Sequence, residues 1–143
     1  MGVFHPDLSL KLAQVLKNLG SQHVMVVHGA DGMDEISFTG DTFVAELKDG
    51  KISEYKLNPA QFDLPLHALS SIRVENAAQS KAMILSVLAG EKSAARDIVL
   101  MNAGAAIYVA GIAANLQAGI HKAAEVIDSG QALEKLNALK AMP

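Results

Sequence analysis

Apolar and polar positions change period several times along the chain. Leu8, Leu12, Val15, Leu16 and Leu19 recur at helical spacing behind Pro6, which suits a first helical turn, and Gly20 follows as a stop. Val3 and Phe4 read as the end of a short strand ahead of that helix. HVMVVHG, from His23 to Gly29, is a continuous apolar run between glycines, the pattern of a strand buried on both faces. Strand, helix and strand in that order predict a right-handed parallel crossover. Residues 36–39 read as a further short strand or a turn. From Thr42 the period becomes two: Phe43, Ala45 and Leu47 alternate with Thr42, Val44 and Glu46, and Ser53, Tyr55 and Leu57 alternate with Ile52, Glu54 and Lys56. Asp49-Gly50 between the two runs is a preferred pair for a two-residue turn, which predicts an antiparallel hairpin.

Asn58-Pro59 closes the hairpin, and an irregular stretch leads to Val74. The period is helical from there on. Ala78, Ala82, Leu85 and Ala89 form a stripe closed by Gly90; a long helix spans 93–115, another reaches Asp128, and Ser129 caps a last one with Leu133, Leu136 and Leu139 inward. The expected fold is α/β: a partial, mostly parallel sheet with an antiparallel hairpin and C-terminal helices, forming one domain over residues 1–143.

Composition narrows the function classes. Half of the 143 residues are hydrophobic, enough for one real core, and the few aromatics leave Ala, Leu and Val to fill it. With 12 basic and 15 acidic residues the net charge is −3; no basic stripe exists and the only arginines are Arg73 and Arg96, which argues against a nucleic-acid partner. Cysteine is absent, removing disulfide and thiolate chemistry. No basic segment followed by an apolar run opens the chain, so no signal peptide is expected and a cytoplasmic location fits. The apolar run IVLMNAGAAIYVAGIAA at 98–114 is short for a membrane span and lacks the usual anchors; a buried helix is expected, and no membrane partner.

The candidate chemistry is concentrated after the buried strand. Asp31, Asp34 and Glu35 crowd a glycine-flanked loop at the strand's carboxyl end, where open α/β sheets place ligands. On a turn, Asp34 and Glu35 can converge on one hard cation such as Mg²⁺, whose remaining sites water and phosphate oxygens fill; a solvated acidic turn is the commoner meaning of such a loop. His28 is a base, a phosphate contact or, more ordinarily, a satisfied structural donor, and Asn102 is either functional or a buried amide bonded to backbone. His5, His23, His67 and His121 show no zinc-like spacing. Gly104, Ala105, Ala106, Ala110 and Gly111 permit close backbone approach.

Six segments together resemble the anthranilate phosphoribosyltransferase family: GVFHPDL at 2–8, VVHGADGMDEIS at 26–37, ELKDGKISEYKLNP at 46–59, RVENA at 73–77, VLAGEKSAARDIVLMNAGAAIYVAG at 87–111 and AAEVIDSGQALEKL at 123–136. The resemblance implies the C-terminal part of a nucleoside phosphorylase/phosphoribosyltransferase-type fold. It implies a parent enzyme that moves the phosphoribosyl group of phosphoribosyl diphosphate to anthranilate in tryptophan biosynthesis, releasing diphosphate, with Mg²⁺ as cofactor and a homo-oligomeric assembly. The family's metal-binding acidic pair falls on Asp34 and Glu35, as electrostatic positioners and not nucleophiles; no catalytic residue is assigned. The family's GTGGD loop, KHGNR segment and anthranilate-contacting arginine are absent, so substrate-binding residues are expected upstream and the isolated chain is expected to be inactive. Asp63 stands where many members carry Gly, and Ser70-Ser71 where many carry a glycine pair. A non-catalytic binding or assembly module of the same fold, or a nucleoside phosphorylase-like enzyme, is the alternative.

Overall fold

The structure is a computed structural model and describes residues 1–142. Helix α1 (Asp7–Asn18) leads to strand β1 (His23–Gly29), then β2 (Thr42–Lys48) and β3 (Lys51–Leu57); four helices follow: α2 (Ala77–Leu88), α3 (Ala94–Val109), α4 (Leu116–Asp128) and α5 (Gln131–Lys140). The hairpin is as predicted. Lys48 faces Lys51 across Asp49 and Gly50, whose φ values of 51° and 74° are the paired left-handed conformations a two-residue turn of this kind requires.

The sheet runs β1-β2-β3 and is antiparallel throughout its ladders, which corrects the expected mostly parallel sheet. Parallel pairing is confined to one bridge, Gly2 with Val27. The cause is the connection. Residues 30–41 contain no helix, and a chain that short turns back on itself instead of crossing over. The continuous apolar run of β1 has a different origin from a parallel sheet: both faces are covered. Val26 and Ala45 pack with Val3 and Ala13 on the α1 side, while Met25, Val27 and Val44 pack with Met101, Ala105 and Ile120 on the side of α3 and α4.

Several helix boundaries and faces differ from the periodicity. Helix α3 stops at Val109, where Gly111 takes φ +73°, and Asn115 opens the next helix by accepting the Ala118 N–H at 2.8 Å. Ser129 closes α4, with Gly130 standing before α5. The stripe Ala78, Ala82, Leu85 and Ala89 is exposed, and α2 turns Val87 and Met83 inward instead. Val15 on α1, Leu19 just past its end and Leu139 on α5 are exposed, while residues 36–39 form no strand, though Ile36, Ser37 and Phe38 are buried. These helices carry apolar side chains on several sides, so spacing alone does not fix which side faces in.

Helices α3 and α4 cross at glycine. A methyl on Gly104 would lie 2.6 Å from the Ile120 nitrogen, and one on Gly119 would overlap the Gly104 carbonyl. At one end of this pair, buried Arg96 on α3 holds Asp128 on α4 at 2.9 Å. Asp63 adopts φ 57°, a left-handed conformation that Asp tolerates better than most residues. Among the described residues, no helix is long and apolar enough to cross a membrane.

Candidate functional site

The loop between β1 and β2 is built around Asp31. Its Oδ2 accepts the Ser37 hydroxyl at 2.7 Å and the Thr39 hydroxyl at 2.6 Å, and its Oδ1 accepts the Met33 N–H at 3.1 Å. Partial burial pushes this carboxyl up, but the three donated hydrogen bonds outweigh it and hold Asp31 below its ordinary value. Thr42 Oγ1 accepts the Ser37 N–H at 2.9 Å, fastening the loop to the start of β2.

Asn102 fastens the other side. From the middle of α3 its Oδ1 accepts the Ile36 N–H and its Nδ2 donates to the Ile36 carbonyl, both at 2.9 Å, with a further bond to Ile98 O at 3.0 Å. The amide expected to be buried is half-buried, and it clamps the residue next to Glu35. Gly2 completes the frame: any Cβ there would collide with the Asp34 carbonyl, so only glycine lets the two backbones touch.

Asp34 and Glu35, the predicted pair, sit on the outer turn of this frame. Both are exposed, and neither accepts a hydrogen bond or an ion pair from any described residue. Both line one open groove of about 570 Å³, with Met25, Asn102, Ala105 and Val109 among its walls. No cluster of three or more His, Asp or Glu able to hold a metal exists among the described residues. The third acid of the loop, Asp31, spends its oxygens on the loop itself. His28 is the structural donor: it is buried, its Nδ1–H bonds Val3 O at 2.8 Å, and it stacks near Phe43.

A second polar group opens on the same groove through His23, and no sequence pattern marks it. Glu46, 8% exposed, accepts from His23 Nε2 at 2.8 Å and from the Tyr55 hydroxyl at 2.7 Å. Burial raises the Glu46 carboxyl, but the Tyr55 and His23 bonds more than offset that and leave it below its usual range, while burial and Glu46 push the Tyr55 phenol up. Tyr108 of α3 lies edge-on to His23 and accepts from Lys48 at 3.1 Å. Alternation along β2 marks Glu46 only as one of a set with Thr42 and Val44; its partners lie on the two neighbouring strands, His23 on β1 and Tyr55 on β3.

Comparison with known proteins places the chain among relatives. A Methylobacillus flagellatus anthranilate phosphoribosyltransferase is 66% identical over 99% of this chain and 42% of its own length; one from Chromobacterium violaceum is 54% identical over the same shares. The chain thus spans about two-fifths of the length of the curated relatives it matches. Among solved structures, the anthranilate phosphoribosyltransferase of Thermus thermophilus superposes with a TM-score of 0.87 at 33% identity, over 96% of this chain and 40% of that one. The Saccharomyces cerevisiae enzyme in complex with PRPP and Mg gives 0.84 at 27% identity, over 95% and 40%. The model of the glycosyl transferase family, a/b domain, matches residues 1–133, and the chain belongs to that family.

Proposed function

We propose that this chain is the C-terminal metal-holding unit of an enzyme that transfers the phosphoribosyl group of phosphoribosyl diphosphate to anthranilate, releasing diphosphate in tryptophan biosynthesis. The observation that carries the reading is a pair of adjacent carboxylates, Asp34 and Glu35, free of partners among the described residues on a loop fastened through Asp31, Ser37, Thr39 and Ile36. The relatives named above are enzymes of that activity, and the yeast structure holds PRPP and Mg.

The donor set fits Mg²⁺. Two carboxylates are the hard oxygen ligands this ion takes from protein, and an incomplete cage suits an ion that keeps waters and binds substrate phosphates. When bound, the ion neutralises charge on the departing diphosphate, which is greatest in the transition state. Asp34 and Glu35 contribute position and charge. Asp31 and Asn102 hold the loop that carries them, so little order has to be acquired on binding. This reading assigns no nucleophile to the unit, and the chain alone is expected to lack turnover because the substrate-contacting segments belong to the rest of the enzyme. Phe4, Leu19 and Ile112, 81%, 77% and 70% exposed, support self-association of the isolated chain, which light scattering reads directly.

The test joins this chain to the remaining part of the Methylobacillus flagellatus relative. Expected are Mg²⁺-dependent turnover of anthranilate by the joined enzyme, none by the chain alone, and a loss of about 100-fold or more in kcat/KM in the Asp34→Asn, Glu35→Gln variant. A folded double variant that keeps its rate and its Mg²⁺ dependence overturns the metal assignment; a folded joined enzyme without turnover overturns the activity.

A further inference from the structure

Two aspartates of the chain stand directly before glycine, in Asp31-Gly32 and Asp49-Gly50, and no asparagine does. Glycine has no Cβ to shield its own nitrogen, so in such a pair the aspartate carboxyl lies open to the main-chain nitrogen that follows it. Both pairs are exposed, and a Cβ built on Gly32 or on Gly50 would meet nothing within 4 Å. Both glycines also take positive φ, 94° and 74°. Crowding and glycine conformation do not separate the two pairs; hydrogen bonding does.

At Asp31-Gly32 both reacting groups are engaged. The carboxylate accepts the Ser37 and Thr39 hydroxyls at 2.7 and 2.6 Å and the Met33 N–H at 3.1 Å, and the Gly32 N–H donates to Gly29 O at 2.9 Å. Swinging the carboxyl carbon onto the Gly32 nitrogen breaks these bonds, at a cost that adds to the barrier. At Asp49-Gly50 neither group is engaged. Among the described residues the Asp49 carboxylate accepts no hydrogen bond and joins no ion pair, and the Gly50 N–H has no acceptor.

We propose that the hairpin turn Asp49-Gly50 is a site of spontaneous isoaspartate formation, and that the hydrogen bonds of the 30–41 loop protect the same dipeptide at Asp31-Gly32. The Gly50 nitrogen bonds to the Asp49 side-chain carboxyl carbon and gives up its proton; that carbon loses one oxygen, which leaves as water with this proton and one from solvent, and a cyclic imide closes. Water then adds to the main-chain carbonyl carbon of Asp49 and breaks its bond to the Gly50 nitrogen, which takes a proton back. The chain now runs through the Asp49 side chain, with one more main-chain atom and a free carboxylate beside it; the water lost is regained, and no other reactant is used. The added atom falls between Lys48 and Lys51, in the turn whose two left-handed residues set the register of β2 and β3. The inference is independent of whether Asp34 and Glu35 bind metal.

The test ages the whole chain for weeks near body temperature at neutral pH, once folded and once unfolded in urea. Isoaspartate is then counted at each position by peptide mapping, with methyl transfer by an isoaspartyl methyltransferase as the label. In the folded chain Asp49 should convert at least ~10-fold faster than Asp31, the effect of one or more hydrogen bonds, and in urea the two rates should draw together. Asp49→Glu should remove the signal at the hairpin and leave that at Asp31 unchanged. Ser37→Ala with Thr39→Val, which strips two donors from Asp31, should raise conversion there in the folded protein towards the rate at Asp49. A folded ratio no larger than the ratio in urea overturns the proposal, and so does faster conversion at Asp31 than at Asp49 in the folded chain.

Discussion

Two acidic regions stand near one groove and treat their carboxylates in opposite ways. At Glu46 both oxygens are taken, by His23 and Tyr55, and the group is buried. On the 30–41 loop the acids divide: Asp31 is taken up by Ser37, Thr39 and Met33, while Asp34 and Glu35 are left in solvent. Partnership and not residue type separates a carboxylate that holds a fold from one that can hold a ligand. A bonded carboxylate has no oxygen to offer without breaking structure, whereas a free one on a fastened loop can bind with little rearrangement.

The contrast can be broken most sharply at Glu46. Glu46→Ala leaves the Tyr55 hydroxyl and His23 without their acceptor in a buried place, and urea denaturation should read a loss of about 2–4 kcal/mol; a loss under ~0.5 kcal/mol would erase the distinction. Asp31→Ala removes three bonds from a more exposed site, so about 1–2 kcal/mol is expected, together with faster exchange of the Met33 and Thr39 amides and weaker Mg²⁺ binding.

Acid sharpens the same contrast. The carboxyls of Glu46 and Asp31 lie below their ordinary values of 4.5 and 3.8, so each contributes stability that is present above those values and lost as pH falls through the lowered ones. Stability measured from pH 7 down to about pH 3 should therefore fall below roughly pH 4.5, and Glu46→Gln should flatten the upper part of that fall. The smallest effect belongs to the free pair. Asp34→Asn with Glu35→Gln should leave metal-free stability within about 0.5 kcal/mol, read by the same denaturation, while calorimetric binding of Mg²⁺ with diphosphate disappears.

What the sequence disclosed follows from the range of each interaction. The hairpin needs only its own turn, so Asp49-Gly50 announces it. The acidic pair was legible as a loop motif, and Asn102 as a buried amide, because a polar residue inside an apolar helix must bond to backbone. Its target was not legible: Ile36 lies 66 residues away. Glu46, His23 and Tyr55 meet only once β1, β2 and β3 are in register. The parallel sheet was misread because burial on both faces is common to parallel sheets and to any strand sandwiched between helices. The stripe on α2 was misread because alanine is at home on either side of a helix.

The contact between Gly104 and Gly119 reaches further than the two helices it joins. Asn102 stands two residues from Gly104, and it is the α3 side of the clamp on Ile36. Adding one carbon at either glycine would push α3 and α4 apart, and any shift of α3 would pass through Asn102 to the acidic turn. The reach of the two carboxylates into the groove is thus calibrated by a pair of missing methyl groups on the far side of a helix, at positions that touch no ligand and hold no charge.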